Sequence, residues 1–151
     1  MYNDIMSKKE LPIQFSLVQI EENQFSTFDE ILEEDKPIKQ QVGFGFGVDI
    51  EKNVIAVSVD FVLKKGEKPL LKQHITCYFK IESNDFETKL KKEEEVVLPC
   101  GFGKHLAMIT TGTARGVLFA NTQNTAFNQF LIGLINIDSM FNEDIHISFN
   151  N

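Results

Sequence analysis

From Val42 to Ile50 the chain alternates without a break, with Val42, Phe44, Phe46, Val48 and Ile50 at one set of positions and Gly43, Gly45 and Gly47 between them. A strict two-residue period fits an extended strand, because successive side chains of a strand point to opposite faces. One face is apolar and the other is nearly bare backbone. The pattern recurs after a turn at Glu51-Lys52-Asn53, where Ile55, Val57, Val59, Phe61 and Leu63 oppose Ala56, Ser58 and Asp60. It recurs again after Lys64-Lys65-Gly66-Glu67-Lys68-Pro69, where Ile75, Cys77, Phe79 and Ile81 oppose His74, Thr76, Tyr78, Lys80 and Glu82. Connections this short cannot carry a parallel crossover, so the strands are antiparallel neighbours. A fourth, less regular run lies from Leu11 to Phe25, where Ile13, Phe15 and Leu17 give way to Val18 and Ile20. That change of phase calls for a bulge or for burial on both faces.

A sheet with one apolar face needs a cover. From Pro99 to about Ala120 the spacing of Phe102, Leu106, Ile109, Thr113 and Gly116 predicts a helix, with Pro99 at a tolerated initial position. Thr110-Thr111-Gly112-Thr113 is poor helix material, so tertiary contacts must offset its propensity. Gly112 and Gly116 fall on one helical face, where a sheet, a second helix or another subunit can approach the backbone closely. Between the first two strand runs, Glu30 to Gln41 reads as a loop or short helix, and Lys89 to Glu95 as a solvated surface. After a polar break at Asn121-Thr122-Gln123-Asn124-Thr125, the apolar residues Phe127, Phe130, Leu131, Ile132, Leu134, Ile135 and Ile137 keep no period. With 14 Phe and no Trp in the chain, the stretch from Phe127 to Phe141 reads as the wall of an interface or groove. Asp138 is placed to cap a short helix carrying Met140 and Phe141, and the alternation of Ile145, Ile147 and Phe149 predicts an extended tail.

Composition narrows the function. The 151 residues form one domain, 1–151, and 15 Lys and Arg against 22 Asp and Glu leave a net charge of -7, which opposes nucleic-acid binding. Cys77 and Cys100 sit in unlike contexts, the polar start from Met1 to Glu10 is unlike an export signal, and no apolar stretch is long enough for a membrane span. A cytoplasmic, reducing setting is expected. His74, His105 and His146 lack metal-ligand spacing, and Cys100 with His105 does not make a dependable nucleophile and base. Gly43, Gly45 and Gly47 lie inside a strand and not in the strand-turn-helix context of a phosphate loop. The acidic pair Glu21 and Glu22 shows no pocket, so no reaction is indicated, and no cofactor is called for.

The expected fold is α+β: a four-stranded antiparallel sheet covered on one face by a long helix, then an apolar crossover segment and a short C-terminal helix. In this order of elements the chain resembles the SecB export-chaperone family and its SecB-like relatives. The resemblance covers Ile13 to Phe141 and is most specific from His105 onward. Thr113-Ala114-Arg115-Gly116 resembles the family's Ser-Arg-Gly at the end of the main helix. Leu134-Ile135-Asn136-Ile137-Asp138-Ser139-Met140-Phe141 is similar to its Pro-Val-Asn-Phe-Asp-Ala-Leu-Phe pattern.

The resemblance implies an ATP-independent holdase that binds unfolded polypeptides in an apolar groove, here Phe127, Phe130, Leu131, Leu134 and Phe141. It also implies a homotetramer, a dimer of dimers with contacts at Gly112, Arg115 and Gly116, and delivery to the translocase motor ATPase through an acidic sheet face near Glu22. Two further readings stay open at this point: a dedicated chaperone of a single partner such as an antitoxin, and a small-ligand domain with a pocket under the helix.

Overall fold

The structure is a computed structural model that describes residues 12–149. Strands β1 (Phe15–Thr27), β2 (Ile38–Asp49), β3 (Val54–Lys65) and β4 (Lys68–Ile81) form one antiparallel sheet in the order β1-β4-β3-β2. The alternation seen in the sequence is the two faces of this sheet. Ile55, Val57, Val59 and Phe61 of β3 and Ile75, Cys77, Phe79 and Ile81 of β4 are all buried without residual exposure. Their neighbours Ala56, Ser58 and Asp60 pair with Gly47, Gly45 and Gly43 on the opposite face.

The irregular first run is explained by two interruptions. The pairing of β1 with β4 slips between Leu17 and Gln19 and again between Glu22 and Gln24, leaving Val18 and Asn23 as bulges. Each bulge shifts the side-chain phase by one residue. Phe15 and Leu17, then Ile20 and Glu22, then Phe25 and Thr27 therefore share the inner face, opposite Ile81, Phe79, Cys77, Ile75, Gln73 and Leu71. Strand β2 starts at Ile38, ahead of the first alternating residue, because Lys39, Gln40 and Gln41 pair with Lys64, Leu63 and Val62. The polar stretch before it holds the short helix α1 (Asp29–Leu32), with Ile31 buried.

After the sheet come α2 (Ser83–Asp85), a π-helical turn at Phe86–Leu90, β5 (Glu95–Leu98) and the long helix α3 (Cys100–Asn121). The run from Lys89 to Glu95 is only partly a solvated surface, since Leu90 is fully buried and Lys89 pairs with Asp85 at 2.8 Å. The Asp85 carboxylate also accepts the Gln14 N–H at 2.9 Å, and this bond and the Lys89 ammonium hold its carboxyl below the usual value. A 3₁₀ turn (Ala126–Gln129), α4 (Ile137–Met140) and β6 (Ile145–Ser148) complete the chain, with β6 pairing antiparallel to β5. The extended tail is thus half of a second, two-stranded sheet. Its partner β5, only four residues long, carries too short a pattern to stand out in the sequence.

Helix α3 covers the apolar face of the sheet. Its buried stripe is Phe102, Leu106, Ala107, Thr110, Thr111, Ala114 and Leu118, so it passes through Ala114 and Leu118 and not through Thr113 and Gly116 as the spacing predicted. Small residues in mid-stripe let the helix sit close to the strands. The threonine hydroxyls turn back on the helix, Thr110 donating to the Leu106 carbonyl (2.9 Å) and Thr111 to that of Ala107 (2.8 Å). That removes the cost of burying them. The N-terminus of α3 is tied to the far end of the chain: Asp144 accepts the Cys100 N–H (3.0 Å), and the half-buried Cys100 thiol donates to the Phe141 carbonyl (3.3 Å).

One polar group in this core is only half satisfied. Gln73, fully buried on β4, donates from Nε2 to the Ala114 carbonyl at 3.1 Å, while its Oε1 finds no donor among the described residues. An orphaned buried acceptor costs about 1–3 kcal/mol, somewhat more than the bond its amide makes. Gln73→Met, equal in length and fully apolar, is expected to raise unfolding stability by about 1 kcal/mol, measured by urea denaturation. Loss of stability would show that the Ala114 contact outweighs the orphaned oxygen.

Candidate functional site

Opposite its buried stripe, α3 presents Met108, Gly112, Arg115, Gly116 and Phe119, with Met108 and Phe119 about half exposed (59% and 48%). A Cβ built at Gly112 or Gly116 would meet nothing within 4 Å. The close approach predicted at these glycines is therefore not made by the sheet of the same chain; the pair opens outward. Within the chain, the tight glycine of α3 is Gly103, where a side chain would strike Ile145.

The crossover segment begins where α3 ends. Thr122, buried, donates its hydroxyl to the Leu118 carbonyl (2.8 Å), and Asn128 Nδ2 donates to the Phe119 carbonyl (3.2 Å) and to Thr122 Oγ1 (3.1 Å). These bonds turn the chain back along the helix. Phe127, expected in the groove, is instead 4% exposed in the core and anchors the segment, with the half-buried Phe130 ring 6.4 Å away.

Residues 130–136 belong to no helix or strand, which is why their apolar residues keep no period. Arg115 holds the middle of this segment, donating from Nε to the Ile132 carbonyl (3.2 Å) and from Nη2 to that of Gly133 (2.9 Å). From the other side Gln40 Oε1 of β2 accepts the Gly133 N–H at 2.7 Å. Pinned at Ile132 and Gly133, the segment turns Ile132 inward and leaves Leu131 58% and Leu134 100% exposed.

Between this segment and the outer face of α3 lies an open cleft of about 320 Å³, lined by Met108, Thr111, Arg115, Leu134, Ile135 and Ile137 among others. Its far wall is α4, capped by Asn136, whose side chain accepts the Ser139 N–H at 3.2 Å. Asp138, predicted to be the cap, lies inside the helix and pairs with Lys104 at 3.1 Å. Phe141 follows α4 and meets Phe44 and Phe46 of β2 edge-on at 5.4 and 5.6 Å. Of the five groove residues expected from the sequence, Leu134 alone lines the cleft; Ile135 and Ile137, which also line it, fall within the stretch from Phe127 to Phe141 read as a groove wall, while Met108 was not singled out. The signal for Met108 was slight, since it is an apolar residue off the predicted stripe.

Glu22 does not lie on an outer acidic face. It pairs with Ile75, on the helix side of the sheet, and its Oε1 accepts from Asn121 Nδ2 at the end of α3 (2.6 Å). The second bulge of β1 comes one residue later, too late to turn Glu22 outward. The outer face is mixed: by register Glu21, Asp49 and Asp60 share it with Lys39, Lys64, Lys72 and Lys80. There Tyr78 donates to Glu21 Oε1 (2.7 Å), which also accepts from Asn23 (3.0 Å); the bonds lower the Glu21 carboxyl below its usual value and raise the Tyr78 phenol above its own. Among the described residues no three His, Cys, Asp or Glu side chains are grouped to hold a metal, and no helix is long and apolar enough to cross a membrane.

No family model matches the sequence, and no curated protein does. The structure does find a likeness: a SecB-like chaperone of Mycobacterium tuberculosis, in complex with a ChAD peptide from the HigA1 antitoxin, matches over 80% of this chain and 90% of its own, with a TM-score of 0.50 and 7% identity. The chain therefore has the SecB-like fold that its order of elements led us to expect.

The tether at Arg115 is open to a direct test. Arg115→Met keeps the stem and removes both bonds, so the Gly133 amide should exchange at least about tenfold faster while global stability falls by only about 1 kcal/mol. An unchanged Gly133 rate would show that Gln40 alone holds the segment.

Proposed function

We propose that this protein is an ATP-independent, SecB-like holdase that binds non-native polypeptides along the crossover segment. The observation that supports this best is the fully exposed Leu134 at the mouth of a cleft whose other wall is the exposed Met108 of α3. Isolated exposed leucines are ordinary, but contiguous apolar surface beside a groove marks an interaction site. Leu131 extends the surface along the same segment. Each client Leu or Phe buried there contributes about 1.5–3 kcal/mol gross, enough for loose and sequence-tolerant capture without a cofactor.

Assembly fits the same reading. The outer stripe of α3, small at Gly112 and Gly116 and apolar at Met108 and Phe119, suits packing against the same stripe of another copy, with Arg115 at the rim. A homotetramer, as a dimer of dimers, would join several clefts and give avidity from weak single contacts. We place the protein in the cytoplasm, holding clients unfolded for export or for handover. The fold neighbour's antitoxin peptide favours a second reading of the same site, a chaperone dedicated to one partner. Capture of one stoichiometric protein separates it from the general holdase, which should retain a broad population. A small-ligand pocket beneath α3 is disfavoured, because Phe61, Ile75 and Leu106 fill that space without residual exposure.

Two measurements test the proposal. The double variant Leu131→Ser with Leu134→Ser should fold normally, since both side chains face solvent, yet lose most of its suppression of client aggregation. Full suppression by the folded variant would clear the crossover segment of a client role. Gly116→Leu should lower the solution mass measured by light scattering, whereas an unchanged tetramer would move the subunit contact away from α3.

A further inference from the structure

Arg115 is half-buried and lines the cleft, yet among the described residues no carboxylate lies within ion-pair distance of it. A guanidinium is permanently charged and carries five N–H donors in a rigid plane. Here one donor at Nε and one at Nη2 are in use, and both go to backbone carbonyls that bear no charge, those of Ile132 and Gly133. These two donors belong to one side of the guanidinium. Its end, with a remaining N–H on each Nη, makes no hydrogen bond to any described residue. Such a pair of parallel donors matches the two oxygens of a carboxylate.

The other polar groups of the cleft leave this charge standing. Asp138 is matched by Lys104 at 3.1 Å, the Thr111 hydroxyl donates to the Ala107 carbonyl, and Asn136 uses Oδ1 to accept the Ser139 N–H, which leaves its Nδ2 as a further donor. Met108, Leu134, Ile135 and Ile137 supply the apolar walls. We infer that the cleft reads a carboxylate: it takes a client segment in which an apolar residue stands beside an Asp or Glu, the apolar side chain lodging among these walls and the carboxylate meeting the end of Arg115. The inference rests on the holdase reading and specifies its client. It also runs against the field of the whole molecule, since a net charge of -7 by itself draws basic segments. At physiological salt, exposed charges are screened beyond about 8 Å, so the group in contact decides. A second copy of the chain is a poorer source of the carboxylate, because the stripe that would face Arg115 lies on α3, which holds no Asp or Glu.

The test uses the full chain and three short peptides with blocked ends, uncharged except at one central position and carrying Leu-Glu-Phe, Leu-Gln-Phe or Leu-Lys-Phe there. The Glu peptide should bind about tenfold more tightly than the Gln peptide, and the Lys peptide most weakly of the three. Added salt should narrow the ratio of Glu to Gln. In Arg115→Met, which stays folded on the stability given above, the Glu and Gln peptides should become equal; a general weakening from the lost tether cancels in that ratio. Equal binding of all three peptides to the unaltered chain, or binding of none while client aggregation is still suppressed, would overturn the inference and leave the holdase standing. Preference for the Lys peptide would do the same, handing selection to the net charge. A preference for Glu that survives Arg115→Met would assign the carboxylate to another cation and reject Arg115. Failure of both peptide binding and suppression would remove the holdase itself, and the inference with it.

Discussion

Everything in this molecule is arranged around the contact between the inner face of β3 and β4 and the small-residue stripe of α3. The strands supply large side chains, Ile55, Phe61, Ile75 and Phe79, and the helix answers with Ala107, Thr110, Thr111 and Ala114. Large against small is what allows a helix to lie close to a sheet at core density. Because that face consumes only half of the helix, the other half is left over. Met108, Gly112, Gly116 and Phe119 have no work to do inside the chain, and the proposed assembly and client cleft both draw on them.

The crossover segment is the second consequence. Regular structure would have paired its backbone and hidden its apolar side chains. Here a guanidinium and one glutamine side chain hold three backbone groups at its middle, and only its two ends are held by backbone bonds, Phe130 N–H to Phe127 and the Ile135 and Asn136 carbonyls to α4. A segment held by a few side-chain bonds can stay extended, keep Leu131 and Leu134 in solvent, and move aside more readily than a strand. That is a suitable border for a groove that must accept chains of differing shape.

Much of the fold was legible in the alternation of residues 42–82, because a half-buried strand writes its two faces directly into the sequence. Bulges are harder to read: Leu17, Val18 and Ile20 announce a phase change, but nothing in the residues marks the second slip at Asn23, and with it the side on which Glu22 falls. The stripe of α3 was misplaced for a related reason. Threonine and alanine look neutral in a periodicity count, yet they form its buried centre. One wall of the cleft was legible in the aperiodic apolar stretch from Phe127 to Phe141, which supplies Leu134, Ile135 and Ile137, but the α3 wall was not. Met108 belongs to it because the crossover segment happens to return over that turn of the helix, a fact of tertiary path that no local pattern encodes.

Helix α3 is fixed along its axis by its packed stripe and by polar bonds to the sheet. The Gln73 amide on the Ala114 carbonyl, and Glu22 on Asn121 at the far end, act as detents that fix where α3 rests. Since Arg115 follows Ala114 directly, whatever sets the axial position of Ala114 also sets the position of the guanidinium that carries the crossover segment. A glutamine on the sheet side of the helix thus contributes to the alignment of the groove.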